Sequence, residues 1–143
     1  MTEIRLEHVS YAYDNEKILE DINLQVTSGE VVSILGPSGV GKTTLFNLIA
    51  GILEVQSGRI ILDGEENPKG RVSYMLQKDL LLEHKTVLGN IILPLLIQKV
   101  NKTEAVARAD EILATFQLTA IRDKYPHELS GGMRQRVALL RTY

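Results

Sequence analysis

Residues 36–44 read Gly-Pro-Ser-Gly-Val-Gly-Lys-Thr-Thr, and from Gly36 to Thr43 they satisfy G-x-x-x-x-G-K-[ST] without a mismatch. The chemistry of such a stretch is anion capture. Glycines let the backbone turn its N–H groups inward around phosphate oxygens, where a Cβ would block the approach. Lys42 can then reach the β- and γ-phosphates of a nucleoside triphosphate, the Thr43 hydroxyl can ligate Mg²⁺, and a helix starting here adds its positive end. Gly36, Pro37, Ser38, Gly39, Val40, Gly41, Lys42, Thr43 and Thr44 are the candidate nucleotide-binding residues, with Lys42 also a candidate catalytic group and Thr43 a candidate metal ligand. The plain alternative, a glycine-rich turn with a solvated lysine, does not explain the apolar run before the glycines and the helical spacing after them.

A second cradle is legible in LSGGMRQR, residues 129–136, where Ser130, Gly131 and Gly132 open a predicted helix. A serine at a helix start, with bare N–H groups behind it, also suits a phosphate. Taken alone, Ser-Gly-Gly reads equally as a turn and a cap.

These residues need elements to hold them. Alternation in IRLEHV and in ILEDINLQV, which puts Ile22, Leu24 and Val26 on one side, predicts two half-buried antiparallel strands near the start. VVSIL, residues 31–35, is an unbroken apolar run and reads as a strand buried on both faces. KTTLFNLIAGI has helical spacing through Leu45, Leu48 and Ile49 and a terminating Gly51. RIILDG predicts a strand entering a turn, and RVSYML another buried strand ending at Gln77. From Thr86 onward the pattern is helical, in TVLGNIILPLLIQ and again in NKTEAVARADEILATFQ, where Asn101 and Glu104 have capping-box spacing. The expected organisation is an α/β chain with a β-rich and P-loop core over about residues 1–77, followed by a helical region over about 78–143.

The composition fits a globular domain: 143 residues, 44% hydrophobic, no cysteine and a formal charge of −2. The sequence pI near 5.9 offers no basic field for nucleic acid, which is not an expected partner. The apolar run from Ile91 to Ile97 is too short to cross a bilayer and is interrupted by Pro94. No apolar signal segment opens the sequence, so an interior location is expected.

Together the motifs resemble the nucleotide-binding domain of ABC transporters, the ATP-driven membrane pumps. GPSGVGKTT resembles the Walker A loop, YMLQKD places Gln77 at the Q-loop, and LSGGMRQR is similar to the signature sequence almost letter for letter. Tyr13, in VSYAYD, stands where the family has an aromatic residue that stacks on adenine; Tyr11 is a rival two positions away, and Tyr13 fits the family spacing better. The resemblance implies that Gln77 contacts Mg²⁺ and the attacking water as a metal ligand and catalytic group. It implies further that Ser130, Gly131 and Gly132 grip the ATP of a second nucleotide-binding subunit in a head-to-tail dimer. Implied partners are that subunit, transmembrane permease subunits and, indirectly, a substrate-binding protein, with the domain peripheral on the cytoplasmic face of the membrane.

In the family, a strand carrying the Mg²⁺-holding aspartate and catalytic glutamate (Walker B), a D-loop and a switch histidine follow the signature helix. The sequence ends at VALLRTY before any of them, so the expected fold is a P-loop NTPase core with an N-terminal antiparallel β subdomain and a helical subdomain, truncated before the Walker B strand. Neither His84 nor His127 takes the switch role. Such a chain is expected to hydrolyse ATP poorly alone and to self-associate through an unpaired strand edge. The leading function is the ATPase of an importer, with a faint likeness to subunits serving nitrate, sulfonate, taurine or thiamine-precursor uptake. The alternative is a soluble ABC-type ATPase acting on DNA or ribosomes. The short interval between Gln77 and Leu129 counts against the chromosome-organising branch, and a simple P-loop kinase would leave the signature unexplained.

Overall fold

The computed structural model describes residues 3–66 and 69–142. The chain divides into two compact units, Met1–Ser73 and Tyr74–Tyr143.

In the first unit the predicted opening strands form as β1 (Glu3–Tyr13) and β2 (Glu16–Thr27), paired antiparallel with Ile4 opposite Val26, Leu6 opposite Leu24 and Val9 opposite Ile22. Asp14 and Asn15 link them with φ of 45° and 72°, the left-handed pair that a two-residue hairpin turn demands. After the glycine-rich loop comes α1 (Lys42–Ile49), which ends at Gly51, where φ is 68°. Then β3 (Ser57–Leu62) and the short β4 (Glu65–Glu66) complete an antiparallel sheet in the order β2-β1-β3-β4. Leu45 and Leu48 of α1 join Leu6, Val9, Leu19 and Ile60 of the sheet in one buried cluster. Each such side chain contributes about 1.5–3 kcal/mol on leaving water, and that burial attaches the helix to the sheet.

The second unit is helical: α2 (Val87–Ile91), α3 (Leu93–Ile97), α4 (Lys102–Thr115) and α5 (Gly131–Arg141), with 3₁₀ turns at Thr119–Ile121 and Pro126–Glu128. The apolar stretch after Thr86 is divided between α2 and α3 at Ile92, because Pro94 has no N–H for the next helical bond. On α4, Ala105, Ala109 and Leu113 recur every fourth residue and are buried, and their small side chains admit close neighbours. They pack with Val87, Ile91, Leu129 and Val137 in the core of this unit. Asn101 caps α4 by accepting from the Thr103 N–H at 2.8 Å, while Glu104 pairs with Arg108 one turn on instead of reaching back as a capping box would require.

Two expected strands do not form. Residues 31–35 and 71–76 carry no regular structure, and Val31 and Leu35 are 95% and 90% exposed. A strand buried on both faces needs a ladder on each edge and layers above and below, and none of the four described strands pairs with either segment. Ile34 is half-buried and packs on the cluster of the first unit, but the described residues supply no burial on both faces for either run, and no strand ladder takes up their backbone groups.

An exposed apolar run of high β-propensity is a template for association. The chain is expected to show concentration-dependent oligomers in light scattering, and lysine at both Val31 and Leu35 should shift it toward monomer without altering its circular dichroism. An unchanged size distribution would locate the sticky surface elsewhere.

Candidate functional site

The glycine-rich loop is shaped by its glycines in two different ways. Gly39 and Gly41 have φ of 85° and 97°, where other residues are strained. At Gly41 a Cβ would also lie 2.8 Å from Ile18 Cγ2, 3.0 Å from Leu19 Cδ2 and 3.1 Å from the Ile18 carbonyl oxygen, so only glycine fits against β2. Gly36 is close to its own loop, where a Cβ would meet Val40 Cγ1 at 3.0 Å. Gly41 is the N-cap of α1 and carries no side chain to cap it, so no side-chain oxygen occupies the first N–H groups of the helix. Lys42 folds back over the loop, its Nζ donating to the carbonyl oxygens of Gly36 at 2.7 Å and Pro37 at 2.6 Å. The ammonium is thus held against the loop by two carbonyl dipoles and has a third proton it can donate. Thr44 is buried beside Leu45, while Pro37, Ser38, Val40 and Thr43 are exposed.

Tyr13 and Tyr11 lie at the hairpin end of β1, their rings 4.9 Å apart and edge to face at 75°. The two differ in access. Tyr11 packs against the sheet core, and burial followed by the neighbouring Tyr13 raises its phenol above the ordinary value. Tyr13 is 44% exposed, which leaves a ring face open to a planar ligand.

In the second unit, Ser130 is the N-cap of α5, its hydroxyl accepting from the Met133 N–H at 3.4 Å. That bond is long for N–H···O, so the hydroxyl is only loosely engaged. At Gly131 and Gly132 an added Cβ would meet nothing within 4 Å. Gln77 is exposed in the irregular segment before α2 and, with Lys78 and Asp79, faces Gly131, Gly132, Arg134 and Gln135 across an open cleft of about 520 Å³. The fold thus brings Gln77 and the Ser-Gly-Gly turn to one place in the second unit, while the glycine-rich loop and Tyr13 belong to the first. Sequence reading does not find Asp79, whose carboxylate accepts from Arg134 Nε at 2.9 Å and Nη2 at 3.0 Å. Those hydrogen bonds, and the Leu81 amide, hold the Asp79 carboxyl below its ordinary value. Nothing in the local pattern marks partners so far apart in the chain.

The sequence profile described as ABC transporter matches residues 19–143. The chain is 40% identical over 148 residues to the ABC transporter ATP-binding protein YtlC of Bacillus subtilis, a match covering 99% of this chain and 57% of that protein. It is 42% identical over 143 residues to the sulfate/thiosulfate import ATP-binding protein CysA of Synechococcus elongatus, covering 96% of this chain and 42% of that one. Among solved structures, a component of the transporter complex cbiONQ from Clostridium perfringens superposes with a TM-score of 0.85 at 30% identity, over 97% of this chain and 60% of that chain. A dimeric ATP-binding cassette in a post-hydrolysis state, bound to ADP and Pi, does so with a TM-score of 0.80 at 29% identity, over 97% and 68% of the two chains. The chain therefore spans about half the length of the curated relatives it matches.

The glycine contacts predict an order of sensitivity. Gly41→Ala adds overlap with Ile18 and Leu19 to the backbone strain and should lower unfolding stability by about 2–4 kcal/mol. Gly39→Ala meets open space and should cost about 1–2 kcal/mol from φ alone. Urea unfolding of both variants checks the order, and equal losses would mean that the packing of Gly41 against β2 is unimportant.

Proposed function

The chain belongs to the ABC transporter family, and on that footing we propose that it is the ATP-binding part of a transporter, coupling ATP binding and hydrolysis to solute import. The observation that carries this reading is the glycine loop closed by Lys42 over the uncapped start of α1. A triphosphate offers that ammonium full negative charge in place of two carbonyl dipoles, and it offers the inward N–H groups acceptors in place of water. Tyr13 supplies the base-stacking surface.

The residues suit a divalent ion without forming a cage for one. Among the described residues no group of three or more His, Cys, Asp or Glu side chains is arranged to hold a metal. Mg²⁺ commonly takes one or two protein oxygens beside phosphate and water, and its contribution is to neutralise charge developing on the transferred phosphoryl group. The Thr43 hydroxyl, at the second position of α1, is a ligand of that kind, and the family resemblance assigns the Gln77 amide oxygen to the same ion and to the attacking water.

The Ser130 turn serves a different nucleotide. Glycine is a poorer helix former than alanine, and among the described residues nothing comes within 4 Å of a Cβ added at Gly131 or Gly132 to require it there. Bare backbone is required where another body approaches, and a second nucleotide-binding subunit presenting its own ATP is the body that a head-to-tail dimer brings there. Closure on ATP and reopening after hydrolysis would then move a permease. The family resemblance assigns the coupling to transmembrane permease subunits fed by a binding protein, with this chain on the cytoplasmic face; among the described residues no helix is long and apolar enough to cross a membrane. Import is favoured by relatives such as the sulfate/thiosulfate and spermidine/putrescine import proteins.

Calorimetric titration with Mg-ATP tests the loop. Lys42→Ala should weaken binding by about tenfold to a hundredfold, the worth of charge-assisted hydrogen bonds to phosphate. Equal affinity would overturn the assignment. Ser130→Ala in the complete subunit should leave the ATP affinity of the monomer intact and impair ATP-driven dimerisation in sedimentation velocity; loss of monomer affinity would contradict a role across the interface.

A further inference from the structure

Arg134 stands one helical turn beyond Ser130, and its backbone N–H donates to the Ser130 carbonyl at 2.9 Å. Its guanidinium takes both oxygens of Asp79 in a two-pronged bond and reaches Glu83 Oε1 at 2.7 Å. Two turns further along α5, Arg141 donates to the carbonyls of Leu80 at 2.7 Å and Asp79 at 2.8 Å. The same segment is gripped from its other side. Fully buried Asn90 of α2 accepts from the Leu82 N–H at 2.7 Å and donates to the carbonyls of Leu82, Lys85 and Thr86. Residues 79–86 are therefore pinned by side chains at almost every step, whereas among the described residues no hydrogen bond fixes Tyr74 to Lys78. Gln77 lies in the untied stretch, two residues before the first pin at Asp79.

We propose that Asp79 and Arg134 are positioning residues that lock the segment after Gln77 to the head of α5, so that a displacement at Gln77 arrives at Ser130, Gly131 and Gly132. The route is short and physical. It runs from the backbone at Asp79, through its carboxylate to the Arg134 guanidinium, and along Arg134 to the carbonyl of Ser130. The pair is suited to this, because the side chains of Arg134 and Asp79 are only 23% and 22% exposed and the fork geometry fixes direction as well as distance. By contrast the Glu104–Arg108 pair on α4 is about half exposed and joins residues of one helix, so it ties nothing together. The functional meaning of the lock rests on the roles proposed for Gln77 and the Ser130 turn; its mechanical content does not.

Residue-resolved hydrogen exchange on the ¹⁵N-labelled chain, without nucleotide, tests it. Asp79→Asn and Arg134→Gln should each raise exchange about five- to thirtyfold at both ends of the lock, at Leu81 and at Met133 and Arg134. The double variant should be no faster than either single one. Ala109 and Leu113, in the core of the same unit, should not change, nor should any site in Glu104→Gln. Arg134→Lys keeps the charge without the fork and should fall between wild type and Arg134→Gln. Opening confined to the mutated segment, additive effects in the double variant, or an equal rise in the core amides would overturn the proposal. Calorimetry separates the two ideas, since the lock variants should bind Mg-ATP as wild type does through the loop of the first unit. A chain that binds no ATP yet shows the reciprocal exchange would refute the function and keep the lock.

Discussion

The contact between α1 and the sheet is the constraint on which the first unit depends. Leu45 and Leu48 are buried with Leu6, Val9, Leu19 and Ile60, so the helix has one attachment and its first residue has one place to start. Because Gly41 fits against Ile18 and Leu19 without a Cβ, the loop lies close against β2 there. Lys42 then has the Gly36 and Pro37 carbonyls within reach. Were α1 to slide by a turn, Gly41 would leave its slot and the ammonium would leave the loop. The placement of Lys42 over the loop thus follows from ordinary apolar packing combined with a position, Gly41, at which only glycine fits.

The second unit solves a different problem, which is to present a helix head while connecting it to a loop. Its core of Ala105, Ala109, Leu113, Val87 and Val137 holds α2, α4 and α5 together and reaches the head of α5 at Leu129 and Met133, on either side of exposed Ser130. Along α5 charge is added to these apolar contacts: Arg134 near its head and Arg141 at its end hold the backbone and carboxylates of residues 79–83. Hydrophobic burial is non-directional and tolerates small slips, whereas a two-pronged guanidinium does not. A directional contact is what a moving part needs if it is to return to the same place.

Much of this was legible in the sequence wherever the signal is local. Alternation through Ile22, Leu24 and Val26 marks β2, glycine spacing and Lys42 mark the loop, and Ser130 marks the start of α5. Reading fails where a residue's state is decided by something distant. The apolar run at 31–35 has the composition of a buried strand, but burial is a property of a strand and its neighbours, and none of the described strands pairs with it. The same holds for residues 71–76. Asp79 and Arg134 fail in the opposite way, since an isolated charge on a polar stretch looks solvated until the fold brings its partner from 55 residues away. The split of the helical stretch at Ile92 was within reach, because Pro94 removes a donor wherever it stands.

The two glycine-rich cradles are nearly alike as text and unlike in cause. At Gly41 the backbone is left-handed and a Cβ would strike β2, so the chain itself demands glycine. At Gly131 and Gly132 the backbone is helical, a Cβ would meet nothing, and alanine would strengthen the helix. A glycine required by its own chain reports on the fold, and one that its own chain does not require reports on what comes near it from outside. By that criterion the first cradle is built to be complete within its unit. The second meets no described residue that requires its glycines, and its Ser130 hydroxyl is only loosely held. Bare backbone at the head of α5 would then give a second subunit's nucleotide close approach, while the lock through Arg134 would hold that helix head at a fixed distance from the segment behind Gln77.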